Sequence, residues 1–392
     1  MKAPFSQKTT VCVLTARGMA AISSVAVAGA DARAILGNVF HSGTNTAKQS
    51  LTVAPGEILH GSIVDGQRVI DEVVVGCEGE NTFVIHCHGN PLLVEQIVTL
   101  LQSHGAELID ADRFARASYQ KSTSNTIEAE ARLAMQKSAT VAGVKILQAQ
   151  ISGGLSQWAQ DTLTAIDTLN IDHFKQRCGE ILQQSKIAQR IIEGVRIVIA
   201  GPPNSGKSTL LNCLAGQEQV IVSDAAGTTR DWVSIICYLG DRAVCAEFID
   251  TAGLDDALAD ADDIERTAQK MTRDLLKSCD LVLFVQDVTQ QAEGAAHVPV
   301  IYVNNKCDLI QEHKNTRTRE PKSFSISAKD NNGIDLLVQG IIEQLGVVDF
   351  DAAEPAAFTQ RQRNLLSAII NTNQSPEEIL SDLLGLRPTS RY

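Results

Sequence analysis

The sequence predicts a chain of three architectural parts: an α+β amino-terminal domain, a helical middle domain, and an α/β domain inserted into the helices. Three observations predict it. Short β-rich runs alternate with turns through residues 1–118. Long Ala, Gln, Leu and Ile-rich stretches with few breakers follow, and helical spacing returns near the carboxy end. Between those helical segments, residues 195–347 read β-loop-α repeatedly. The boundaries fall at 1–118, 119–193, 194–347 and 348–392.

In the first part the β-rich runs are Thr10 to Leu14, Ser24 to Ala28, Val69 to Val75 and Thr82 to Cys87. Leucines and valines at helical spacing between Pro91 and His104 add a helix. From Ser124 to Glu193 only Gly153 and Gly154 interrupt the helical pattern, so two or more packed helices are expected. Apolar runs at Val195 to Ala200, Leu281 to Val285 and Val298 to Val303 then read as buried strands of a doubly wound parallel sheet. After Pro355, residues 358–384 return to helical spacing and are expected to pack back on the earlier helices, which makes the α/β part an insertion.

Composition sets limits on function. The 392 residues are 44% apolar, enough for ordinary cores. Lys+Arg 34 against Asp+Glu 46 gives a net charge of -12, and aromatics are 4%. A broad phosphate-binding stripe and a row of base-stacking rings are therefore excluded, and any nucleic-acid contact is local. Nine cysteines without a CxxC pair indicate reduced thiols in a cytoplasmic protein. Arg17 interrupts the apolar amino end and no run reaches about 18 apolar residues, so neither a signal peptide nor a membrane span is expected.

The motif that carries chemistry is Gly201-Pro202-Pro203-Asn204-Ser205-Gly206-Lys207-Ser208, set between an apolar strand and the helical run that begins at Thr209. Loop N–H groups and the helix start can converge on a polyphosphate, Lys207 can reach the β and γ phosphates, and the Ser208 hydroxyl can ligate Mg²⁺. Asn305-Lys306-Cys307-Asp308 follows a later strand, and the Asp308 carboxylate can accept from guanine N1 and N2, donors that adenine lacks. Ser327-Ala328-Lys329 suits a backbone N–H on guanine O6 and a lysine stem over the ring. Asp250-Thr251-Ala252-Gly253 supplies a carboxylate for a Mg²⁺-bound water and a glycine N–H facing the γ phosphate. Together these predict a P-loop GTPase (Ras-like G) domain that binds GTP and GDP with Mg²⁺. Leu254 stands where a glutamine could orient water, and an aliphatic chain cannot. Asn204 and the polar loop Ser223, Asp224, Ala225, Ala226, Gly227, Thr228 and Thr229 could offer oxygens to a hard monovalent cation.

On the loop GxPNxGKS, the run Ala226 to Asp231, the segment Asp250 to Leu254, Ala28-Gly29 and His88-Gly89, the chain resembles the tRNA modification GTPase family (MnmE/TrmE) over nearly its whole length. The resemblance implies K⁺ on Asn204, the carbonyls of Ser223 and Ala225, and Thr228, with Mg²⁺ on Ser208 and Thr229 and on Asp250 through water. It implies a catalytic set of Lys207, Thr229, Gly253 and Glu265, the last orienting water from Ile264-Glu265-Arg266. It also implies a homodimer through the amino-terminal domain, transient pairing of G domains, an FAD-containing partner subunit and action at the wobble uridine of tRNA.

The sequence also departs from the family. The chain ends Leu-Arg-Pro-Thr-Ser-Arg-Tyr with no cysteine after Cys307, where members that modify tRNA carry a Cys-containing tail. Ala26, Val84 and Ala117 stand where the family's one-carbon folate site uses an arginine, a glutamate and an arginine, with Arg116 one position from the last. Neither Ala nor Val can hold a pterin or a glutamate tail, so tetrahydrofolate chemistry is not expected. A regulatory switch that keeps the nucleotide cycle without modifying tRNA, in ribosome assembly for example, is the competing expectation. A scaffold that binds GTP with little turnover is a third.

Other features carry bland readings. On a strand, Cys87 faces away from His86 and His88, so a structural role is expected for all three. Glu128 and Arg132 read as an i,i+4 pair, Arg230 equally as a cation reaching a phosphate or partner or as one half of a switch-loop salt bridge, and Cys307 as a small core residue.

Overall fold

A computed structural model describes residues 8–16, 18–42, 53–217, 233–250, 279–287, 299–309, 317–318, 322–348, 350–372 and 374–386. The chain divides into two compact units, Met1–Thr123 and Ser124–Tyr392.

The first unit is built on strands β1 (Thr10–Val13), β2 (Ile22–Ala28), β3 (Phe40–Ser42), β4 (Ile58–Asp65), β5 (Arg68–Gly79), β6 (Thr82–His88) and β7 (Glu107–Leu108). Their order in the sheet is β3-β4-β5-β6-β2-β1-β7, antiparallel except for the β1–β7 edge. Strand alternation sends Val73 and Val75 of β5 and Phe83, Ile85 and Cys87 of β6 to one face, where α1 (Ala32–Val39) and α2 (Pro91–Ser103) cover them. The start of α2 is fixed locally: the Asn90 side chain accepts from Leu92 N, and Pro91 occupies the first turn. On the opposite face Cys12, Ala26 and Ala28 meet Ile109 and Phe114 under α3 (Ala111–Ser122).

The second unit holds β8 (Val195–Ala200), β9 (Val233–Leu239), β10 (Val244–Asp250), β11 (Leu281–Asp287), β12 (Val300–Asn305), β13 (Arg317–Thr318) and β14 (Ser323–Ser325), in the order β13-β14-β12-β11-β8-β10-β9. The sheet is mixed, and the expectation of a purely parallel sheet is corrected at its edges. β14, β12, β11, β8 and β10 run parallel, while β9 and β13 run antiparallel to their neighbours. A short turn joins β9 to β10, in which Gly240, Asp241 and Arg242 all take positive φ of 57°, 52° and 64°. Such a turn can only reverse the chain, whereas a parallel neighbour needs a long crossover.

Around this sheet lie α4 (Thr126–Met135), α5 (Val141–Ser152), α6 (Gly154–Thr164), α7 (Ile171–Glu193), α8 (Lys207–Gln217), α9 (Ile334–Leu345), α10 (Gln360–Asn371) and α11 (Pro376–Leu384). The last two pack on the earlier helices, α10 against α7 and α11 against α6 and α4. Ile127, Leu147, Ile181, Leu366 and Leu380 of these helices belong to one contiguous core with Ile197, Phe248 and Leu283 of the sheet. The fully buried Gln150 fastens the returning chain: its amide donates to the carbonyls of Ala352 and Glu354, both at 3.1 Å, and its oxygen accepts from Leu155 N and Ala356 N. Arg190 of α7 donates to the Leu345 carbonyl at the end of α9, at 2.6 Å. All nine thiols are free. Among the described residues, no helix is long and apolar enough to cross a membrane.

Candidate nucleotide site

The site forms at the carboxyl ends of the parallel strands, where open α/β sheets place ligands. β8 ends at Ala200, and the chain turns through Gly201 with φ of 149°. A Cβ at Gly201 would collide with the Val285 carbonyl, and one at Gly206, φ 95°, with the Asn305 amide, so both motif glycines are sterically required. Asn204 takes the left-handed conformation, φ 61°. Lys207, 4% exposed, begins α8 and donates its Nζ to the carbonyls of Gly201 at 2.8 Å and Pro202 at 3.2 Å. The loop is thereby curled around its own lysine. Ser205 Oγ is buried without a hydrogen-bond partner, the kind of orphan a bound group satisfies.

Asp250 closes β10, and its carboxylate accepts from the Ser208 hydroxyl at 2.8 Å. Two hard oxygens at that spacing beside a phosphate loop suit Mg²⁺. The base elements are tied to the same place by Asn305, 3% exposed at the end of β12. Its Nδ2 donates to the Ser205 carbonyl at 2.9 Å and its Oδ1 accepts from Ala328 N at 3.0 Å. One buried side chain therefore spans the phosphate loop and the Ser327-Ala328-Lys329 turn. Asp308 is oriented by the Ser327 hydroxyl at 2.9 Å, and Lys329 is exposed. Lys306 has φ of 66° and pairs with Asp287 at 3.1 Å. Sequence reasoning missed Asp287; the available signal was an acidic residue closing an apolar strand run. Burial, then the charge of Asp308, pushes the Cys307 thiol up, which keeps it protonated.

The structure thus brings together Asn204, Ser205, Gly206, Lys207, Ser208, Thr209, Asp250, Asn305, Lys306, Asp308, Ser327, Ala328 and Lys329. Ser223, Asp224, Ala225, Ala226, Gly227, Thr228, Thr229, Arg230, Thr251, Ala252, Gly253 and Glu265 lie outside the described residues. Of the expected K⁺ set, only Asn204 is described.

The residues at the folate positions do not fit that group. Ala26 is fully buried, and Val84 and Ala117 pack with it against Cys12, Ala28, Ile109 and Phe114. No cation or acceptor of the kind a pterin-glutamate needs is contributed by these three, and Arg116 is exposed. Burial, then the charge of Asp110, pushes the Cys12 thiol to about 11. On β6 each histidine has its own partner: His86 Nδ1 hydrogen-bonds with Ser24 Oγ at 2.9 Å, and His88 Nδ1 with Asp71 at 2.7 Å, while Cys87 is buried on the other face. Arg132 donates to Glu128 at 2.8 Å.

Residues 196–313 match the family model described as "50S ribosome-binding GTPase", and residues 9–123 match "GTP-binding protein TrmE N-terminus". The tRNA modification GTPase MnmE of Flavobacterium psychrophilum is 28% identical over 376 residues, covering 83% of this chain and 80% of that protein. Its counterpart in Christiangramia forsetii is 26% identical over 442 residues, covering 96% and 91%, and that of Cytophaga hutchinsonii 28% over 419 residues, covering 96% and 88%. Among solved structures, a single-residue variant of Aquifex aeolicus Era bound to GDP.AlF4- aligns with a TM-score of 0.31 at 27% identity, over 47% of this chain and 69% of that one. The amino-terminal and GTPase models match in order and relatives of one name align across most of the length, so the chain carries a GTPase domain and is similar to tRNA modification GTPases over most of its length.

Proposed function

We propose that this chain hydrolyses GTP to GDP and phosphate as the nucleotide-driven component of tRNA modification. The observation that carries the reading is the Asn305 side chain, which bonds the phosphate loop and the base turn at once and so makes one site of two distant motifs. In this reading the loop N–H groups and Lys207 hold the β and γ phosphates, Asp308 accepts from the guanine N1 and N2 donors, Ala328 N faces O6, and the stems of Lys306 and Lys329 cover the ring. Mg²⁺, on Ser208 and Thr229 and through water on Asp250, neutralises phosphate charge. Gly253 N–H and Glu265 address the γ phosphate and the attacking water, and Asn204, Ser223, Ala225 and Thr228 hold K⁺. Residues 119–193 and 348–392 act as one helical domain interrupted by the G domain at 194–347, and residues 1–118 as the dimerisation domain. A cytoplasmic homodimer working with an FAD-containing subunit on the wobble uridine of tRNA follows from the same reading.

The apolar packing of Ala26, Val84 and Ala117 favours a second reading, a GTP-dependent regulatory switch that has lost folate-dependent modification. Phosphate release from GTP in KCl, against NaCl and against ATP, tests the first claim. Guanine-selective turnover that is faster in KCl is expected; equal rates in both salts remove the K⁺ site, and equal use of ATP removes the base site. Mass spectrometry of wobble uridines from cells with and without the gene separates the readings, an unchanged profile leaving the switch.

A further inference from the structure

We propose that Asp287 is a positioning residue for the nucleobase, holding the Lys306 side chain in the place from which it covers the ring; this rests on the guanine-site reading above. Lys306 is an unusual residue to leave to itself. It adopts φ of 66°, a left-handed conformation that a non-glycine residue keeps only when its surroundings fix it. Its backbone is fixed on both sides, with Leu309 N donating to the Lys306 carbonyl at 3.0 Å and Cys307 N to Ile326 O at 3.1 Å. The side chain is long and carries four rotatable bonds, so backbone anchoring alone leaves its direction open. The Asp287 carboxylate supplies the missing constraint, 3.1 Å from Nζ.

Asp287 is itself held in register. It is the last residue of β11 and lies opposite Asn305 of β12, the residue just before Lys306. One step earlier the Gln286 amide, 7% exposed, donates to Asn304 Oδ1 at 2.8 Å and locks the two strand ends together. The carboxylate therefore projects from a rigid strand end, on the side of the sheet where the phosphate loop and Asp308 also lie. Side-chain exposures of 34% for Lys306 and 22% for Asp287 place the pair at the mouth of the site. A partly exposed pair of this kind adds modestly to folding stability, and its place beside the base elements points to orientation as its purpose.

The two aspartates then have separable jobs. Asp308 reads the guanine edge and so sets base selectivity. Asp287 acts through a lysine stem that touches only the ring face, which every purine presents. Loss of Asp287 should weaken all purine nucleotides by the same factor.

Steady-state KM and kcat for GTP and inosine triphosphate, measured on the full chain, test this with Asp287→Ala, Asp287→Asn and Lys306→Ala, alone and combined. Asp287→Ala is expected to raise KM roughly fivefold for both nucleotides, the scale of about 1 kcal/mol for such a pair, with kcat unchanged. In the Lys306→Ala background the same substitution should add nothing. An unchanged KM, an effect that persists without Lys306, or a fall in kcat alone would overturn the proposal. Asp287→Asn keeps the shape and removes the charge, so a full loss of affinity there without loss of thermal stability supports orientation by charge over a structural role. Asp308→Asn, by contrast, changes the ratio between the two nucleotides. Wild-type protein that does not prefer GTP to ATP would overturn the base-site reading itself, whatever Asp287 does.

Discussion

The nucleotide site of the second unit and the apolar cluster under α3 of the first were both marked by the sequence as ligand positions of the family, and they are built from opposite materials. At the first, Lys207, Asp250 and Asn305 are nearly buried polar groups, each with partners at hydrogen-bond distance. At the second, Ala26, Val84 and Ala117 close a small core with Cys12 and Phe114. The two regions differ in what fixes their residues. A phosphate loop is written into backbone geometry: Gly201 and Gly206 admit no Cβ, and the strand carrying Val285 packs against the loop. Changing it disturbs the fold. At Ala26, Val84 and Ala117 nothing comparable binds side-chain identity to the backbone: apolar side chains fill the space while β1, β2 and β6 keep their register, and no charge has to be buried there.

The largest effect is expected at Ala26. Ala26→Arg places a cation at a fully buried position whose strand neighbour is Val84, and should cost about 3 kcal/mol or more in denaturant unfolding. A variant as stable as wild type would mean that the cluster opens readily and the position can still face a ligand. Next in size is Asp308→Asn, which exchanges a double acceptor for a mixed amide and should weaken GTP tenfold or more, about 1.4 kcal/mol, by titration. Unchanged affinity removes Asp308 from base recognition. The smallest effect sharpens the contrast from the other side, by asking what a charge is worth when it is properly bonded. The Glu128 carboxyl is held below its usual range, first by the Ser124 backbone N–H, then by the Ser124 hydroxyl and Arg132. Because the folded value is the lower one, its stabilisation is present above the ordinary carboxylate range and is lost as pH falls through the lowered value. The melting difference between wild type and Glu128→Gln should therefore be present at neutral pH and shrink as the solution is acidified below the ordinary carboxylate range. A difference that does not depend on pH would assign it to packing instead.

Much of the nucleotide site was legible because its parts are local: a strand, a glycine loop and a helix start lie within a few residues of one another, and Asp308 and Ala328 each follow a strand of their own. The alternation of His86, Cys87 and His88 was equally readable, since parity on a strand decides facing. What the sequence hid depends on pairing across the chain. The antiparallel edge at β9 has the same apolar content as a parallel strand, and only the left-handed run Gly240 to Arg242 gives it direction. Asp287 is invisible as a positioning group until β11 and β12 are set side by side. The helices and the sheet share a core that periodicity alone cannot join, because period reports which face is apolar and not what covers it.

The buried Gln150 imposes an order on biogenesis. Its amide is made early and its carbonyl partner at Ala352 lies 202 residues further along the chain. At ordinary synthesis rates of about 5 to 20 residues per second, that interval is roughly 10 to 40 s. Throughout it α5 and α6 can pair and Leu155 N can bond the Gln150 oxygen, but the Gln150 amide lacks its native acceptors until Ala352 and Glu354 have left the ribosome. A nascent chain stopped before residue 352 therefore holds the Gln150 amide without its two carbonyl acceptors, and the last helices join α4 to α7 only once that segment arrives.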